Sequence, residues 1–340
     1  MEGFLSYLVS FAIVAVIYAI FSLGLNVQWG FTGLFNIGIA GFFAIGAYTA
    51  ALLTAPPAAA YANYVLGLNL PFLVGVLAAG AVSGIVALLI AIPTLRLRED
   101  YLAIATLGIA ESIRLVFNNE RWLANGSRGM IGIPQPLHNL VSPDMYNYIY
   151  LAIVAAFLVI VYVAIQRAIN SPWGRVLRAI RENETTTMSV GKNVSSFKVQ
   201  AFVLGAVIMG IGGALYAHYA KTISPETFTP LFGTFIIWVM LTLGGSGSNR
   251  GAILGAFVVW GIWTGTDFIT DLAPRQWATQ FFYVRYLAIG LILVAIVLIR
   301  PQGILGESRR VSMSLARRQP EEVAPQEGSP PEGPSETSSG

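Results

Sequence analysis

Glu111 and Arg114 stand three residues apart in the apolar run YLAIATLGIAESIR, a spacing that puts a carboxylate and a guanidinium on one helical face. Charged groups among residues this apolar are costly, so the two either neutralise each other as a structural pair or mark a polar pathway; the spacing leaves both readings open. Asn36 and Thr106 are further polar candidates for such a path, and Gly38 and Gly41 could line a seam along which helices approach and slide. Close helix packing explains those glycines equally well. His218 and Asp267 fall near the ends of apolar runs, where a solvated interface is the commoner explanation.

Several chemistries are excluded. There are no cysteines and only two histidines, His138 and His218, far apart in sequence, so neither thiolate metal sites nor a histidine cluster is on offer. The one Gly-Lys pair, Gly191 and Lys192, is followed by Asn193 and lacks the preceding glycine of a phosphate-binding loop. The chain is therefore expected to bind no ATP and to carry no catalytic residue, cofactor or metal of its own.

The elements that must position these residues follow from composition. Of 340 residues, 55% are hydrophobic and 11% charged, against roughly 25% charged in an average soluble domain. The apolar residues come in runs of about twenty, the length that crosses a bilayer. Spans are predicted at residues 4–27, 33–54, 70–92, 101–118, 148–167, 198–218, 231–243, 251–270 and 281–299, nine crossings within a range of eight to ten. The fold class is all-α, a polytopic transmembrane helical bundle. The first run follows only Glu2 rather than a basic segment, so it reads as a retained helix and not a secretory signal. The seventh run is short, and the second carries Gly33, Gly38, Gly41 and Gly46, so either is expected to be broken or re-entrant.

Positive charge sets the orientation. With the N-terminus outside, the inner segments hold Arg96, Arg98, Arg167, Arg175, Arg178, Arg181, Lys192, Lys198, Arg250, Arg300, Arg309, Arg310, Arg317 and Arg318, fourteen of the 20 Lys and Arg residues. The C-terminus is then cytoplasmic. The net charge of +3 is explained by this topology, and no nucleic-acid partner is implied. Residues 1–305 form the membrane domain; residues 306–340, rich in Gly, Pro, Ser and Glu, form a tail expected to stay disordered.

The longest inner interval, residues 168–198, reads as structured. Ser171 can cap a helix whose first residue is Pro172, and Val176, Ala179, Ile180 and Asn183 recur at helical spacing. Arg175, Arg178, Arg181 and Glu182 lie toward other faces. Such a short amphipathic helix at the inner surface suits insertion into a groove on a peripheral partner, while anchorage of a basic loop at the interface is the alternative.

The segments SPWGRVLRAIRENE, VGKNVSSFKVQAFV and GIGGALYA, with GLFNIGIAGFFAIGAYTAALL, YLAIATLGIAESIR, TISPETF, LGGSGSNRGAILGA and RPQGILG in the same order, resemble branched-chain amino acid ABC permeases of the LivM type over residues 20–306. The resemblance implies that residues 168–198 dock into a separate ATPase, through Gly174, Arg175, Arg178, Ala179, Arg181, Glu182, Glu184 and Gly191. It implies partners: a second, LivH-like permease, two LivG/LivF-like ATPase subunits that bind ATP and Mg, and a periplasmic or extracellular substrate-binding protein. It implies a bacterial inner membrane and a small-molecule solute, a branched-chain or neutral hydrophobic amino acid. Two departures from the family pattern are Thr185, Thr186 and Thr187, where alanines usually follow the Glu, and Asn125, Gly126 and Ser127, in place of Thr-Gly-Gly. A urea or short-chain amide permease is the nearest alternative, followed by an autonomous ion-coupled carrier or channel.

Overall fold

A computed structural model describes residues 2–58, 62–138, 141–272, 287, 290, 291, 294, 295, 298 and 302–306. The described residues lie within one compact unit, Met1–Glu307. The predicted ninth span and the expected disordered tail fall outside the described residues, apart from isolated helical positions in the former and Gly306 at the start of the latter.

The bundle is built from α1 (Glu2–Leu25), α2 (Ile39–Thr54), α3 (Phe72–Thr94), α4 (Glu99–Asn119), the short α5 (Arg121–Ala124), α6 (Pro143–Asn170), α7 (Pro172–Glu182), α8 (Glu184–Ser189), α9 (Val194–Ala220), α10 (Ile236–Gly244) and α11 (Asn249–Leu272). Two short strands, β1 (Met130–Ile131) and β2 (Thr222–Ile223), pair antiparallel. Among the described residues four helices are long and apolar enough to cross a membrane, Leu5–Gly30, Phe72–Thr94, Met145–Asn170 and Val194–Ala220; Ile39–Thr54 and Leu231–Gly244 are shorter apolar helices.

The centre is made by α1, α2 and α9. Their small residues let the backbones meet: a side chain at Gly46 would collide with the backbone of Gly210, and one at Gly213 with Phe43 O. α3 packs against both α9 and α2, with Gly80 and Gly84 facing Val207 and Gly75 facing Thr54. α10 and α11 pack against each other and against α1, their crossing set by Gly244, Gly251 and Gly255.

The loops sort to two ends. One end gathers the C-terminal end of α1, the turn between α10 and α11 and the 304–305 segment, whose Ile304 and Leu305 amides donate to Leu243 and Gly244 O at 2.9 Å. The other end gathers the loops at residues 62–70 and 120–138 with β2, where Asn125, in the left-handed region at φ 67°, accepts from Asn63 N and donates to Gly129 O. Asn125 thus shapes the turn at this end.

Both predicted breaks are present. α1 runs into a wider π-type turn over Asn26–Gly30, after which residues 33–38 are non-helical and α2 begins only at Ile39. The seventh predicted span divides into a π-type turn, Leu231–Phe235, and α10.

Candidate functional site

The break between α1 and α2 leaves backbone groups without helical partners in a largely buried segment, and every such group needs a partner. Side chains from three other elements supply them. Ile37 N donates to Thr106 Oγ of α4 at 3.1 Å, and Ile37 O accepts from Thr234 Oγ at 3.2 Å. Thr234 Oγ also accepts from Ala40 N at 3.1 Å, and Trp238 Nε1 of α10 donates to Asn36 O at 3.0 Å. Asn36 folds back, accepting from Gly38 N at 2.7 Å and donating to Gln28 Oε1 at 2.8 Å; Gln28 Nε2 in turn donates to Phe202 O of α9. Asn36, Gln28, Thr106 and Thr234 are all buried.

Four of the residues assigned to a path by sequence therefore meet here: Asn36, Gly38, Gly41 and Thr106. A side chain at Gly38 would press on Thr106 O, and one at Gly41 on Ala110. Between α2, α4 and Phe202 remains a cavity of ≈ 10 Å³, room for about one water, so the seam is closed in this state. Gly46 faces α9 instead, so the glycines of the second span serve two different seams.

Glu111 and Arg114 lie farther along α4, away from this junction. They form the ion pair that their spacing allows, with Arg114 Nε 3.1 and 3.0 Å from the two carboxylate oxygens and Nη2 2.5 Å from Oε1. Arg114 also approaches Glu226 of the Pro225–Phe228 turn at 3.8 Å.

The interval 168–198 folds as two helices, α7 and α8. Pro172 starts α7 as expected, but Ser171 Oγ donates backward to Ala168 O at 2.6 Å rather than capping the new helix. The buried face is Gly174, Leu177 and Ile180; of the expected row Val176, Ala179, Ile180 and Asn183, Ile180 is buried, Val176 is half-buried and Ala179 and Asn183 are exposed. Two contacts hold this face: a side chain at Gly174 would strike the backbone of Ile169, and Trp173 Nε1 donates to Gln200 Oε1 at 2.9 Å. Lys198 of α9 pairs with Glu184 of α8 at 2.5 Å.

The decisive contact lies at the end of α7, where Arg181 donates from Nη1 to Gly30 O and its stem packs over Gly33 at φ +79°. The amphipathic helix is thus bonded directly to the break. A second tie runs from the same break to the LGGSGSNRG turn: Asn26 accepts from Gly247 N at 2.8 Å and donates to Asn249 Oδ1 at 3.0 Å, and Asn249 donates to Gln166 of α6. The eight residues assigned to docking divide accordingly. Gly174, Arg178, Arg181 and Glu184 make contacts within the chain, whereas Arg175, Ala179, Glu182 and Gly191 are exposed.

Over residues 7–299 the sequence matches the family described as branched-chain amino acid transport system / permease component. The chain belongs to this family. It is 32% identical over 323 residues to the high-affinity branched-chain amino acid transport system permease protein LivM of Salmonella typhimurium, covering 88% of this chain and 70% of the relative. To the probable branched-chain amino acid transport permease protein LivM of Methanocaldococcus jannaschii it is 27% identical over 327 residues, covering 89% and 94%. A more distant likeness, 24% over 169 residues and about half of each chain, is to the autoinducer 2 import system permease protein LsrC of Yersinia pseudotuberculosis. No solved structure matches.

As a member of this permease family the chain is a multi-pass membrane protein and a transport subunit. Among the described residues no group of three or more His, Asp or Glu side chains is placed to hold a metal ion. Sequence reasoning missed Gln28, Asn26, Thr234, Trp238 and Gln166. The signal available was NVQWG, two amides where the first apolar run should simply end. It also misplaced His218, which is fully buried in the permease, with Nδ1 donating to Pro134 O at 2.8 Å, rather than solvated at an interface. The side chain of Asp267 lies outside the described residues.

Proposed function

We propose that this chain is one permease subunit of an ATP-driven importer of branched-chain and other neutral hydrophobic amino acids in a bacterial inner membrane, with its N-terminus outside and its C-terminus in the cytoplasm. It works with a second permease subunit, two ATPase subunits that bind ATP and Mg, and an external substrate-binding protein. The observation that carries the coupling part is the bond from Arg181 to Gly30, because it links a helix with an outward polar face to the non-helical segment that closes the seam. The amino-acid class is supported by the names of the relatives at 32% and 27% identity.

In this mechanism the exposed residues Arg175, Ala179 and Glu182 receive the ATPase, and closure of the ATPases shifts α7. Arg181 passes that shift to Gly30, and residues 31–38 reposition α2 against α4. No covalent bond is made or broken in the chain. The test is the double substitution Arg175→Glu with Glu182→Lys, which reverses the outward charges and leaves the Arg181 contact in place. Leucine uptake should be lost while the binding protein still captures leucine. Normal uptake by this variant would remove the ATPase-docking assignment, and uptake of urea in preference to leucine would move the substrate to the amide class.

A further inference from the structure

The outward faces of the long helices have two different characters. On α3 the exposed row is Leu73, Leu77, Ile85, Leu88, Leu89 and Ile92, wholly aliphatic, as a lipid-facing surface should be. α4 is different. Its outward stripe carries Gly108, Glu111 and Ser112 between Ile104 and Leu115. Glu111 begins about 18 Å along the 21-residue α4, which is about 31 Å long, so the pair sits in the body of the helix and not at its end. The Glu111 side chain is 37% exposed and that of Arg114 17%, so the ion pair is half open to whatever lies beside α4. A side chain added at Gly108 would meet nothing within 4 Å, which leaves free space beside the pair.

Lipid is a poor neighbour for this stripe. Ionised groups at membrane depth face a protein interior or a water-filled path, because hydrocarbon cannot solvate them. The two groups are also chemically specific: one carboxylate and one guanidinium, three residues apart, with a second carboxylate, Glu226, 3.8 Å from the same guanidinium. An α-amino acid zwitterion presents an ammonium and a carboxylate in similarly close array. It can therefore exchange partners with the pair, its ammonium on Glu111 and its carboxylate on Arg114, without leaving either charge unmatched. Glu226, 75% exposed, remains within reach of the displaced guanidinium.

We infer that the Glu111–Arg114 face of α4 is a zwitterion-binding subsite on an aqueous solute path, with neutral α-amino acids as its ligand class. This rests on the proposed importer role and deepens it, since it places the substrate's charged end on named residues. It also separates amino acids from urea, which has no charges to exchange.

The chain has no cysteine, so single cysteines report cleanly. Ser112→Cys and, as the lipid-facing control, Leu88→Cys are prepared in the reconstituted transporter with its binding protein and ATPases, and treated with a membrane-impermeant methanethiosulfonate. Ser112→Cys is expected to react at least about tenfold faster, since thiol reactivity follows access. Leucine should slow that reaction severalfold and urea should not. Adding Glu111→Gln and Arg114→Gln should abolish the protection by leucine while the fast labelling persists. Copurification of the ATPase subunits with each variant distinguishes a local loss from failed assembly. Should the doubly neutralised variant fail to assemble, Glu111→Asp, which keeps the charge, is expected to retain partial protection.

Labelling of Ser112→Cys no faster than Leu88→Cys overturns the aqueous path. Fast labelling that ignores leucine, or that urea slows equally, overturns the zwitterion subsite. Failure of the unsubstituted chain to assemble with ATPase subunits overturns the importer role instead.

Discussion

Arg181, at the end of a short helix on the bundle's edge, donates a hydrogen bond to the carbonyl oxygen of Gly30, 151 residues earlier in the chain, where the first helix stops being regular. The same arginine covers Gly33, whose positive φ turns the chain away from the helix axis. One side chain therefore joins α7 to the irregular segment whose backbone is held by side chains of α4, the Leu231–Phe235 turn and α10.

Replacing Arg181 by Gln should weaken that joint without removing the outward face of α7. A hydrogen bond to a charged group contributes about 1.5–3 kcal/mol. The expected result is an assembled complex whose ATPases still turn over but whose leucine uptake falls by about tenfold or more, measured as transport per ATP hydrolysed. Unchanged stoichiometry would show that the contact is incidental.

Gly33→Ala tests the same joint through the backbone. At φ +79° a side chain costs about 1–2 kcal/mol, and here it would also press on the Arg181 stem at 3.3 Å. Thermal unfolding of the detergent-purified chain should shift down, and uptake should fall with it.

Asn36 and Gln28 should act as a unit. Each is buried and each satisfies the other, so Asn36→Ala leaves Gln28 Oε1 and Gly38 N without their present partners, at about 1–3 kcal/mol. A double-mutant cycle of Asn36→Ala with Gln28→Ala, read by thermal unfolding, should return a coupling of about 0.5–3 kcal/mol. Additive effects would dissolve the network.

At Gly210 the demand is steric. Any side chain would enter Ser83 and the Ala79 carbonyl of α3, so Gly210→Val should force α9 away from α3, costing about 1–3 kcal/mol or more and reducing the folded yield in membranes. Gly108→Val, where nothing lies within 4 Å, is the contrasting substitution and should leave yield unchanged.

The Lys198–Glu184 pair makes the opposite prediction. Glu184 is 42% exposed, and pairs of this kind contribute about 0–1 kcal/mol. Lys198→Ala should keep both stability and uptake near the unsubstituted level, although Glu184 belongs to the segment that the family resemblance assigns to docking.

Apolar run length made the long helices legible in the sequence, and glycine density made the breaks legible, because both are local properties. The fold class and the family followed from those runs and from ordered motifs. The start of α2 was set six residues early, at 33 rather than Ile39, because residues 33–38 are as apolar as a helix and their non-helical path depends on Thr106, Thr234 and Trp238, which are distant in sequence. The buried face of α7 was misread for a related reason. Periodicity alone favoured Val176 and Ala179, but Gly174 lets the helix close against Ile169 and turns Leu177 and Ile180 inward. Asn36, Gly38, Gly41 and Thr106 were found because polar and small residues stand out in apolar runs. Gln28 was not, because an amide at a predicted helix end looks like an ordinary terminus.

Residues 36–40 share hydrogen bonds with α4, the Leu231–Phe235 turn and α10 at 3.0–3.2 Å, donating from Ile37 N and Ala40 N and accepting at Asn36 O and Ile37 O. A slide of about 1 Å between α4 and α10 carries one or more of these beyond bonding range. Halfway positions therefore strand a buried amide or carbonyl, and the segment favours only those arrangements in which all are matched. Its motion should come in discrete steps, so that a fractional push on α7 stores strain until one complete set of bonds is exchanged for another.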